Sequence, residues 1–260
     1  MIRRVVLIGS GNVAENLVQA LAETPDVELL QLYARNKVRG AEVAALAHCS
    51  YTANPAELDQ RADLYLLSVS DRAVAEVADG LPIPEGAIVA HTAGSVPIDA
   101  LMRYSRRAIF YPFQGFSAGR KADFSTIPLF LEADDPAVLE QLTEFARRLS
   151  CQVYEADSAR RKKIHLAGVI ANNFVNQLYA AATDLLSEVD LPYEVLKSLI
   201  HETAAKAIDA AHPALVQTGP AKRGDRATQE GHLALLNDKP ELKAIYELIS
   251  QQIWETSKKI

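Results

Sequence analysis

Cysteine is scarce in this sequence, and its two cysteines, Cys49 and Cys151, stand far apart. Because there is no CxxC pair and no Cys/His cluster at zinc spacing, neither a disulfide framework nor a metal site is predicted. Positive charge is not in excess either, since 27 Lys and Arg face 33 Asp and Glu, a net charge of −6. Nucleic-acid-binding proteins usually carry a basic patch, so a nucleic-acid partner is not expected.

Long hydrophobic runs typical of membrane spans are also missing. The chain reaches Gly9 before the apolar region of a signal peptide could be completed. Residues 166–183 carry no formal charge, but the four side-chain amides among them would be costly in lipid. We therefore expect a cytoplasmic protein without a membrane partner, and a helix buried in protein at this position.

What the sequence does have is a globular composition over 260 residues, with 49% hydrophobic and 23% charged residues. At about 150 residues per domain, this length suits one large domain or two smaller ones. Up to Glu155, short β-branched runs alternate with helical patterns, which is typical of a parallel α/β sheet. From Asp157 onward only helical patterns remain. The pattern predicts an α/β domain over residues 1–155 and an all-helical domain over residues 156–260.

Hydrophobic periodicity predicts the individual elements. Strands are expected at residues 5–8, 27–33, 49–52, 64–69, 87–91, 108–111, 128–132 and 152–154. Helices are expected at residues 12–23, 37–47, 71–80, 136–149, 158–188, 192–211, 228–237 and 240–257. The helix over 158–188 is apolar nearly all round, which predicts a central element packed on every side.

A glycine-rich turn follows the first predicted strand and opens the first helix. It reads Gly9-Ser10-Gly11-Asn12-Val13-Ala14, a GxGxxA pattern. The first glycine permits the tight turn, the second lets the backbone approach a pyrophosphate, and the small third residue allows close helix–sheet packing. The helix N-terminus favours the negative charge. In this context the motif predicts a Rossmann dinucleotide-binding domain, and a purely structural turn is the alternative.

The end of the second strand predicts which dinucleotide binds. NAD-selective sites usually place Asp or Glu there to accept the ribose hydroxyls. This chain has Arg35, Asn36 and Lys37 instead, and basic side chains attract a 2′-phosphate. We therefore predict NADP (NADPH) in preference to NAD at these residues, and the alternative is a solvated basic start of the second helix.

Further candidate residues follow the fourth, fifth and sixth strands. Ligands of open α/β sheets bind outside the carboxyl ends of the strands. We predict cofactor contacts from Ser68, Val69, Ser70, Thr92, Ala93 and Gly94, and substrate contacts from Ser95 and Gln114. Ordinary turn or helix-cap roles for the serines are the alternative.

A polar stripe marks the long helix of the second half. His165, Asn172 and Asn176 are separated by seven and four positions, which places them on one helical face. Imidazole titrates near neutral pH, so His165 is the candidate acid or base, with Asn172 orienting the substrate and Asn176 in contact with it. Hydrogen bonds between helices or subunits are an equally good explanation of the stripe.

A loop dense in turn residues and charge interrupts the later helices. In Thr218-Gly-Pro-Ala-Lys-Arg-Gly-Asp225, Arg223 is a candidate clamp for a carboxylate and Asp225 a candidate partner that holds it. Thr228 and His232 are four residues apart at the start of the next helix, so they present a hydroxyl and an imidazole to one place. These four residues are predicted to bind substrate.

Together these motifs resemble the Rossmann-type NADP oxidoreductases whose helical C-terminal domain has no assigned function. More distantly, the chain is similar to pyrroline-5-carboxylate reductase, ketopantoate reductase and 6-phosphogluconate dehydrogenase. The resemblance implies a C-terminal domain like that of 6-phosphogluconate dehydrogenase, a cleft between the domains and a homodimer through the helices. It also implies hydride transfer between nicotinamide and a small carbonyl, imine or alcohol substrate in that cleft.

One departure from the relatives affects the expected mechanism. The hydroxyacid dehydrogenases carry a lysine and, four residues later, an asparagine on their first long C-terminal helix. Here Lys162 and Lys163 are followed four residues later by Leu166 and Ala167. A non-catalytic NADP-binding or redox-sensing protein is therefore the alternative function.

Overall fold

The computed structural model describes residues 1–260 and divides the chain into two compact units, residues 1–173 and 174–260. The first unit contains the whole sheet, and the second contains helices and no strand. This boundary lies later than the predicted one after residue 155. The reason is that the helical turns after Ser158 are fixed to the sheet through the buried side chain of Arg161.

Eight strands build the first unit. Their bounds are β1 Arg4–Ile8, β2 Glu28–Tyr33, β3 Ser50–Thr52, β4 Leu64–Leu67, β5 Ile88–His91, β6 Arg107–Pro112, β7 Leu129–Ala133 and β8 Val153–Glu155. They form one sheet in the order β3-β2-β1-β4-β5-β6-β7-β8. All neighbouring strands are parallel except β6 and β7. No α-helix separates these two strands, so the chain returns antiparallel rather than by a crossover.

The strand order reverses between β1 and β4, which are neighbours in the sheet although β2 and β3 separate them in the chain. The side chains of Val5–Ile8 and of β4 are 0% exposed, as expected for parallel strands with helices on both faces. In an open α/β sheet the ligand crevice lies outside the carboxyl ends of the strands at such a reversal. The fold therefore predicts a site next to Gly9 and Ser68.

The helices of the first unit cover the sheet. They are α1 Asn12–Glu23, α2 Lys37–Ala45, α3 Val74–Gly80, α4 Pro136–Ala146 and α5 Ser158–Gly168. The predicted bounds of α1 are confirmed, and its buried Leu17, Val18 and Leu21 belong to the hydrophobic core on one side of the sheet. The helix predicted over 71–80 begins with a 3₁₀ turn, Asp71–Ala73, before α3.

The second unit buries almost nothing within this chain. A π-helical segment, Val169–Phe174, follows α5, and the later helices are α6 Val175–Ser187, α7 Glu194–Asp209, α8 Pro220–Arg223, α9 Arg226–Leu235 and α10 Pro240–Ser257. Only Ala221 and Leu236 are buried among residues 174–260. The prediction of a long helix packed on every side is wrong for the single chain, because Leu166, Ile170 and Phe174 are all exposed. None of the helices combines the length and apolarity needed to cross a bilayer.

Candidate functional site

Gly9 follows β1 at the carboxyl edge of the sheet, where the backbone comes closest to the end of β4. Its φ of +120° is a conformation that L side chains rarely adopt, and its N–H donates to the carbonyl oxygen of Tyr33 at 2.8 Å. A Cβ at this position would lie 2.7 Å from the carbonyl carbon of Ser68 and closer still to its oxygen. Only glycine fits this turn.

The carboxyl edge borders a cavity of ≈ 690 Å³. Its walls come from the loops after β1, β2, β4 and β5, from the end of β6 and from α5. The lining residues are Ile8, Gly9, Ser10, Gly11, Asn12, Val13, Tyr33, Ala34, Arg35, Asn36, Ser68, Val69, Ser70, Asp71, Ala73, Val77, Thr92, Ala93, Gly94, Tyr111, Pro112, Gln114, Phe116 and His165.

Three features of this cavity fit a dinucleotide. A Cβ on Gly11 would meet nothing within 4 Å, so the backbone there is open to the close approach of a pyrophosphate. The Ser68 hydroxyl is buried, belongs to a lining residue and has no hydrogen-bond partner, a cost of about 1–3 kcal/mol that a ligand atom would offset. The N-terminus of α1 lacks a side-chain cap, which leaves N–H groups available for an anion.

Polar side chains at the start of α1 hold the loop between β6 and β7 beside the cavity. The Asn12 amide donates to the carbonyl oxygen of Phe116 at 3.2 Å. The Asn16 side chain accepts from the Ala122 N–H at 2.8 Å. The Glu15 carboxylate accepts from the Gly119 N–H at 3.1 Å. The same helix therefore provides the dinucleotide turn and fixes the loop that carries Phe116.

The loop after β2 presents Arg35 and Asn36 to the cavity. The Asn36 side chain accepts from the Arg39 N–H at 3.1 Å and caps α2, and the Arg39 guanidinium is ion-paired with the buried Glu15. Arg35 lies 3.5 Å from Glu76, but 68% of its side chain is exposed, and such exposed pairs are weak. Arg35 is therefore the basic side chain at this end that a ligand can engage.

His91, at the end of β5, is a core residue. It is 0% exposed, and burial lowers its pKa to about 4, so the ring is neutral near physiological pH. Its Nδ1 accepts from the Ala93 N–H at 3.2 Å, and its Nε2 lies 3.4 Å from the carbonyl oxygen of Pro97. These contacts fix the turn that carries Thr92 and Gly94.

Tyr111 on β6 and His165 on α5 form a hydrogen-bonded pair in the cavity wall. The Tyr111 Oη lies 3.1 Å from the His165 Nδ1. A Cβ on Gly94 would lie 2.6 Å from that nitrogen and 2.9 Å from that oxygen, so the pair requires glycine there. Burial, together with the negative charge of Asp71, raises the pKa of Tyr111 to about 12. The phenol therefore stays protonated near neutral pH and is placed to donate to Nδ1 of His165, which leaves Nε2 of the ring for a ligand.

One helical turn before His165, Arg161 fixes α5 to the sheet. Its side chain is 0% exposed and is ion-paired with Glu132 on β7. It also donates to the carbonyl oxygen of Val96 and, at 3.2 Å, to the Ser158 hydroxyl. That hydroxyl in turn donates to Glu132 at 2.9 Å. Neither Arg161 nor the pairing of Tyr111 with His165 was predicted from the sequence, because no local pattern marks contacts between such distant positions.

Three predicted site residues lie outside the cavity wall. Ala14 is completely buried in the core, so it provides close helix–sheet packing and cannot contact a cofactor. Lys37 is exposed and does not line the cavity. The Ser95 hydroxyl donates to the carboxylate of Asp71, so the serine acts on a lining residue rather than lining the cavity itself.

Asn172 is not a lining residue either. Its amide lies against Gly115, where a Cβ would be 2.6 Å from Nδ2. The prediction that His165, Asn172 and Asn176 share one face assumes about 3.6 residues per turn. The π-helical segment intervenes, and its wider i→i+5 turns rotate all later residues about the helix axis. The predicted stripe is therefore broken after His165.

The second unit holds the remaining predicted substrate residues. The Asp225 side chain caps α9 by accepting from the Thr228 N–H at 3.1 Å and from its hydroxyl at 2.7 Å. The carboxylate is thus committed to the helix cap rather than to Arg223, whose side chain is exposed. The His232 Nδ1 lies 2.9 Å from the Tyr246 Oη. Asp225, Thr228 and His232 therefore have structural partners inside this unit.

The strand order, the glycine turn and the cavity define a dinucleotide-binding protein of the Rossmann class. Residues 4–159 match the family model described as semialdehyde dehydrogenase, NAD binding domain. Residues 127–253 match a domain of unknown function, DUF2520. No curated protein matches the chain. The chain belongs to the NAD(P)-dependent oxidoreductases that combine this Rossmann domain with a DUF2520 domain.

Solved structures support the same assignment. The putative NADP oxidoreductase BF3122 from Bacteroides fragilis is 40% identical over 98% of both chains, with a TM-score of 0.90. Protein TM1727 from Thermotoga maritima is 22% identical over 98% of this chain and 99% of its own, with a TM-score of 0.81. A 1-pyrroline-5-carboxylate reductase from Streptococcus pyogenes is 13% identical over 99% and 98%, with a TM-score of 0.65. The last two similarities concern the fold alone.

Alanine substitutions at the two glycines of the turn should have different effects, one on NADPH binding and the other on the free energy of unfolding. Gly11→Ala should weaken NADPH binding by about tenfold or more, because its Cβ would enter the open cradle. It should change the free energy of unfolding by no more than about 0.5 kcal/mol. Gly9→Ala should lower that free energy by about 1–3 kcal/mol or more, through backbone strain and overlap with Ser68.

Urea unfolding and a fluorescence titration with NADPH measure the two effects. Gly86→Ala is the matched control, because a Cβ there also meets nothing within 4 Å and the residue does not line the cavity. It should change neither quantity. NADPH binding by Gly11→Ala with wild-type affinity would contradict the position assigned to the pyrophosphate.

Proposed function

We propose that this protein is an NADP-dependent oxidoreductase that moves a hydride between nicotinamide and a small carbonyl, imine or alcohol substrate. The observation that carries the proposal is that one cavity is bordered by both the glycine turn and the Tyr111–His165 pair. The nicotinamide, when bound, supplies or accepts the hydride. The protein must then move a proton, and His165 is the group placed for that role.

In this proposal His165 gives a proton to, or takes one from, the reacting oxygen or nitrogen through Nε2. Tyr111 positions the ring through Nδ1, and this contact fixes which nitrogen faces the ligand. Ser68, Val69, Ser70, Thr92, Ala93 and Gly94 bind the nicotinamide half of the cofactor. Gln114, which also lines the cavity, contacts the substrate.

The preference for NADP is supported by the charge at the end of β2. No acidic residue follows this strand, and Arg35 lines the cavity without a buried partner. A guanidinium forms charge-assisted hydrogen bonds with a phosphate but gains much less from ribose hydroxyls. We therefore assign Arg35 to the 2′-phosphate, with Asn36 beside it.

A binding titration with NADPH and NADH tests this assignment without a substrate. Arg35→Ala should raise the Kd for NADPH by about tenfold, the effect of one charge-assisted hydrogen bond, and leave the Kd for NADH nearly unchanged. Arg147→Ala is the control, since Arg147 is exposed and lies outside the cavity. Failure of wild-type protein to bind either nucleotide would overturn the proposed function.

The role of His165 is tested by turnover with a substrate identified from a panel of small aldehydes, ketones and imines. His165→Ala should lower kcat/KM by about 10²–10⁴-fold, the usual contribution of a general acid or base. Tyr111→Phe should cause a smaller loss and shift the pH profile of kcat, because the imidazole loses its Nδ1 partner. His48→Asn is the control, at an exposed position whose φ of 52° asparagine tolerates.

An unchanged kcat/KM in His165→Ala would remove this residue from the mechanism. NADPH binding without hydride transfer to any member of the panel would instead favour a non-catalytic, redox-sensing role. The two outcomes are distinguishable, because the first requires turnover and the second its absence.

We also propose that the protein forms a homodimer through its second unit. Large apolar side chains are exposed there, including Ile208 at 81%, Leu235 at 75%, Leu248 at 64% and Leu199 at 63%. Monomeric proteins rarely expose apolar surface on this scale, and a unit that buries two residues has no core of its own. A second copy of the chain is the partner that would cover these faces.

Sedimentation velocity at micromolar concentration should give the mass of a dimer. Leu199→Asp should shift the population toward monomer, because a carboxylate would have to be desolvated at the interface. Met102→Asp is the matched control, since Met102 is 72% exposed but belongs to the first unit. A monomer in the wild-type protein would contradict the proposal.

The cysteines support a cytoplasmic location for this enzyme. Cys49 and Cys151 are both free, and free thiols are usual where glutathione and thioredoxin keep cysteines reduced. Cell fractionation that finds the protein outside the cytoplasm would contradict this placement.

A further inference from the structure

The charged side chains of the cavity are few and lie in different loops. Among its lining residues other than His165, only Arg35 and Asp71 carry a formal charge at neutral pH. Arg35 follows β2 and is assigned above to the cofactor phosphate. Asp71 follows β4 in the first turn of the 3₁₀ helix Asp71–Ala73, and its side chain is exposed. Its negative charge is therefore available to a ligand in the cavity.

Asp71 lies near the Tyr111–His165 pair in the cavity. It accepts a hydrogen bond from the Ser95 hydroxyl, and Ser95 directly follows Gly94, the residue in contact with both Tyr111 and His165. The charge of Asp71 also contributes to the raised pKa of Tyr111. The carboxylate thus acts on the same space as the Tyr111–His165 pair.

No cation of the protein neutralises this carboxylate. Asp71 has no partner within 4.0 Å among the ion pairs of the chain, and the Ser95 hydroxyl is its hydrogen-bond donor. The neighbouring Arg72 and Glu76 do not line the cavity. When a dinucleotide fills the cavity and excludes water, an unneutralised carboxylate attracts a cation and repels an anion more strongly.

We propose that Asp71 selects a substrate whose reacting nitrogen accepts a proton and with it a positive charge, so that the enzyme interconverts an imine and an amine. This inference rests on the proposed function and narrows its substrate class. Ser95 holds the carboxylate in position. Asp71 recognises the positive charge on the nitrogen of such a substrate. Carbonyl compounds and alcohols carry no such charge.

The reaction balances with the groups already named. A proton from His165 converts the imine to an iminium ion, and the negative charge of Asp71 stabilises that ion. The iminium carbon accepts a hydride, with two electrons, and the C=N π pair moves to nitrogen, which leaves a neutral amine. The reduced nicotinamide dinucleotide is the co-reactant and is oxidised by two electrons. The charge of Asp71 thus stabilises the iminium ion, which is the form that accepts hydride, more than the neutral imine. Catalysis requires such preferential stabilisation of the reacting form.

Calorimetric titration of the NADP⁺-saturated protein with three ligands of one shape tests the inference by binding alone. The probes are cyclohexylammonium, cyclohexanol and cyclohexanecarboxylate, which differ in charge at a single group. The cation should bind most tightly and the carboxylate most weakly. Asp71→Asn should raise the Kd of the cation by about tenfold or more, as for loss of a hydrogen bond to a charged group, and should reduce the discrimination against the carboxylate.

Asp79→Asn is the matched control, because it removes one negative charge from an exposed residue outside the cavity. It should leave the order and the affinities unchanged. Equal affinities for the three probes, or no measurable binding of the cation, would overturn the inference. So would an Asp71→Asn variant with the wild-type preference. If NADP⁺ itself fails to saturate the protein, the proposed function fails instead, so the two failures are distinguishable.

Discussion

The end of the cavity that holds the Tyr111–His165 pair depends on a buried ion pair between α5 and the sheet. Arg161 is withdrawn completely from water, meets Glu132 on β7 and donates to the carbonyl oxygen of Val96. Removing two charges from water costs about as much as their attraction returns, so such a pair adds little net stability. We infer that its contribution is positional, since it fixes the helical turn before His165. The hydrogen bond to Tyr111 requires that position.

The cofactor end depends on the backbone instead of on charged side chains. Gly9 crosses the end of β4 in a conformation closed to other residues, and the adjacent N-terminus of α1 offers N–H groups. The polar side chains in the first turn of α1 bind the β6–β7 loop, and Glu15 is also ion-paired with Arg39. The backbone of the glycine turn therefore provides the candidate anion site. The Tyr111–His165 pair at the other end of the cavity depends on individual side chains.

Hydrophobic periodicity and turn residues predicted the strands and helices of the first unit. The bounds of α1 and the order of all eight strands follow from periodicity and from Gly9. The antiparallel β7 was not predictable, because strand direction is set by the connection and not by the strand sequence. The His165–Asn172 spacing misled for a related reason, since a π segment leaves no mark in the apolar pattern. The Asp225 cap, by contrast, had a local signal in its spacing to Thr228.

The charges named from sequence and from structure point to different substrates. Arg223 was singled out as a clamp for a carboxylate, whereas the cavity itself offers the carboxylate of Asp71. A ligand that uses Asp71 alone carries a cation at its reacting nitrogen, and one that uses Arg223 alone carries an anion. Because Asp71 adjoins the Tyr111–His165 pair through Ser95 and Gly94, we infer that Asp71 and not Arg223 selects the charge at the reacting atom.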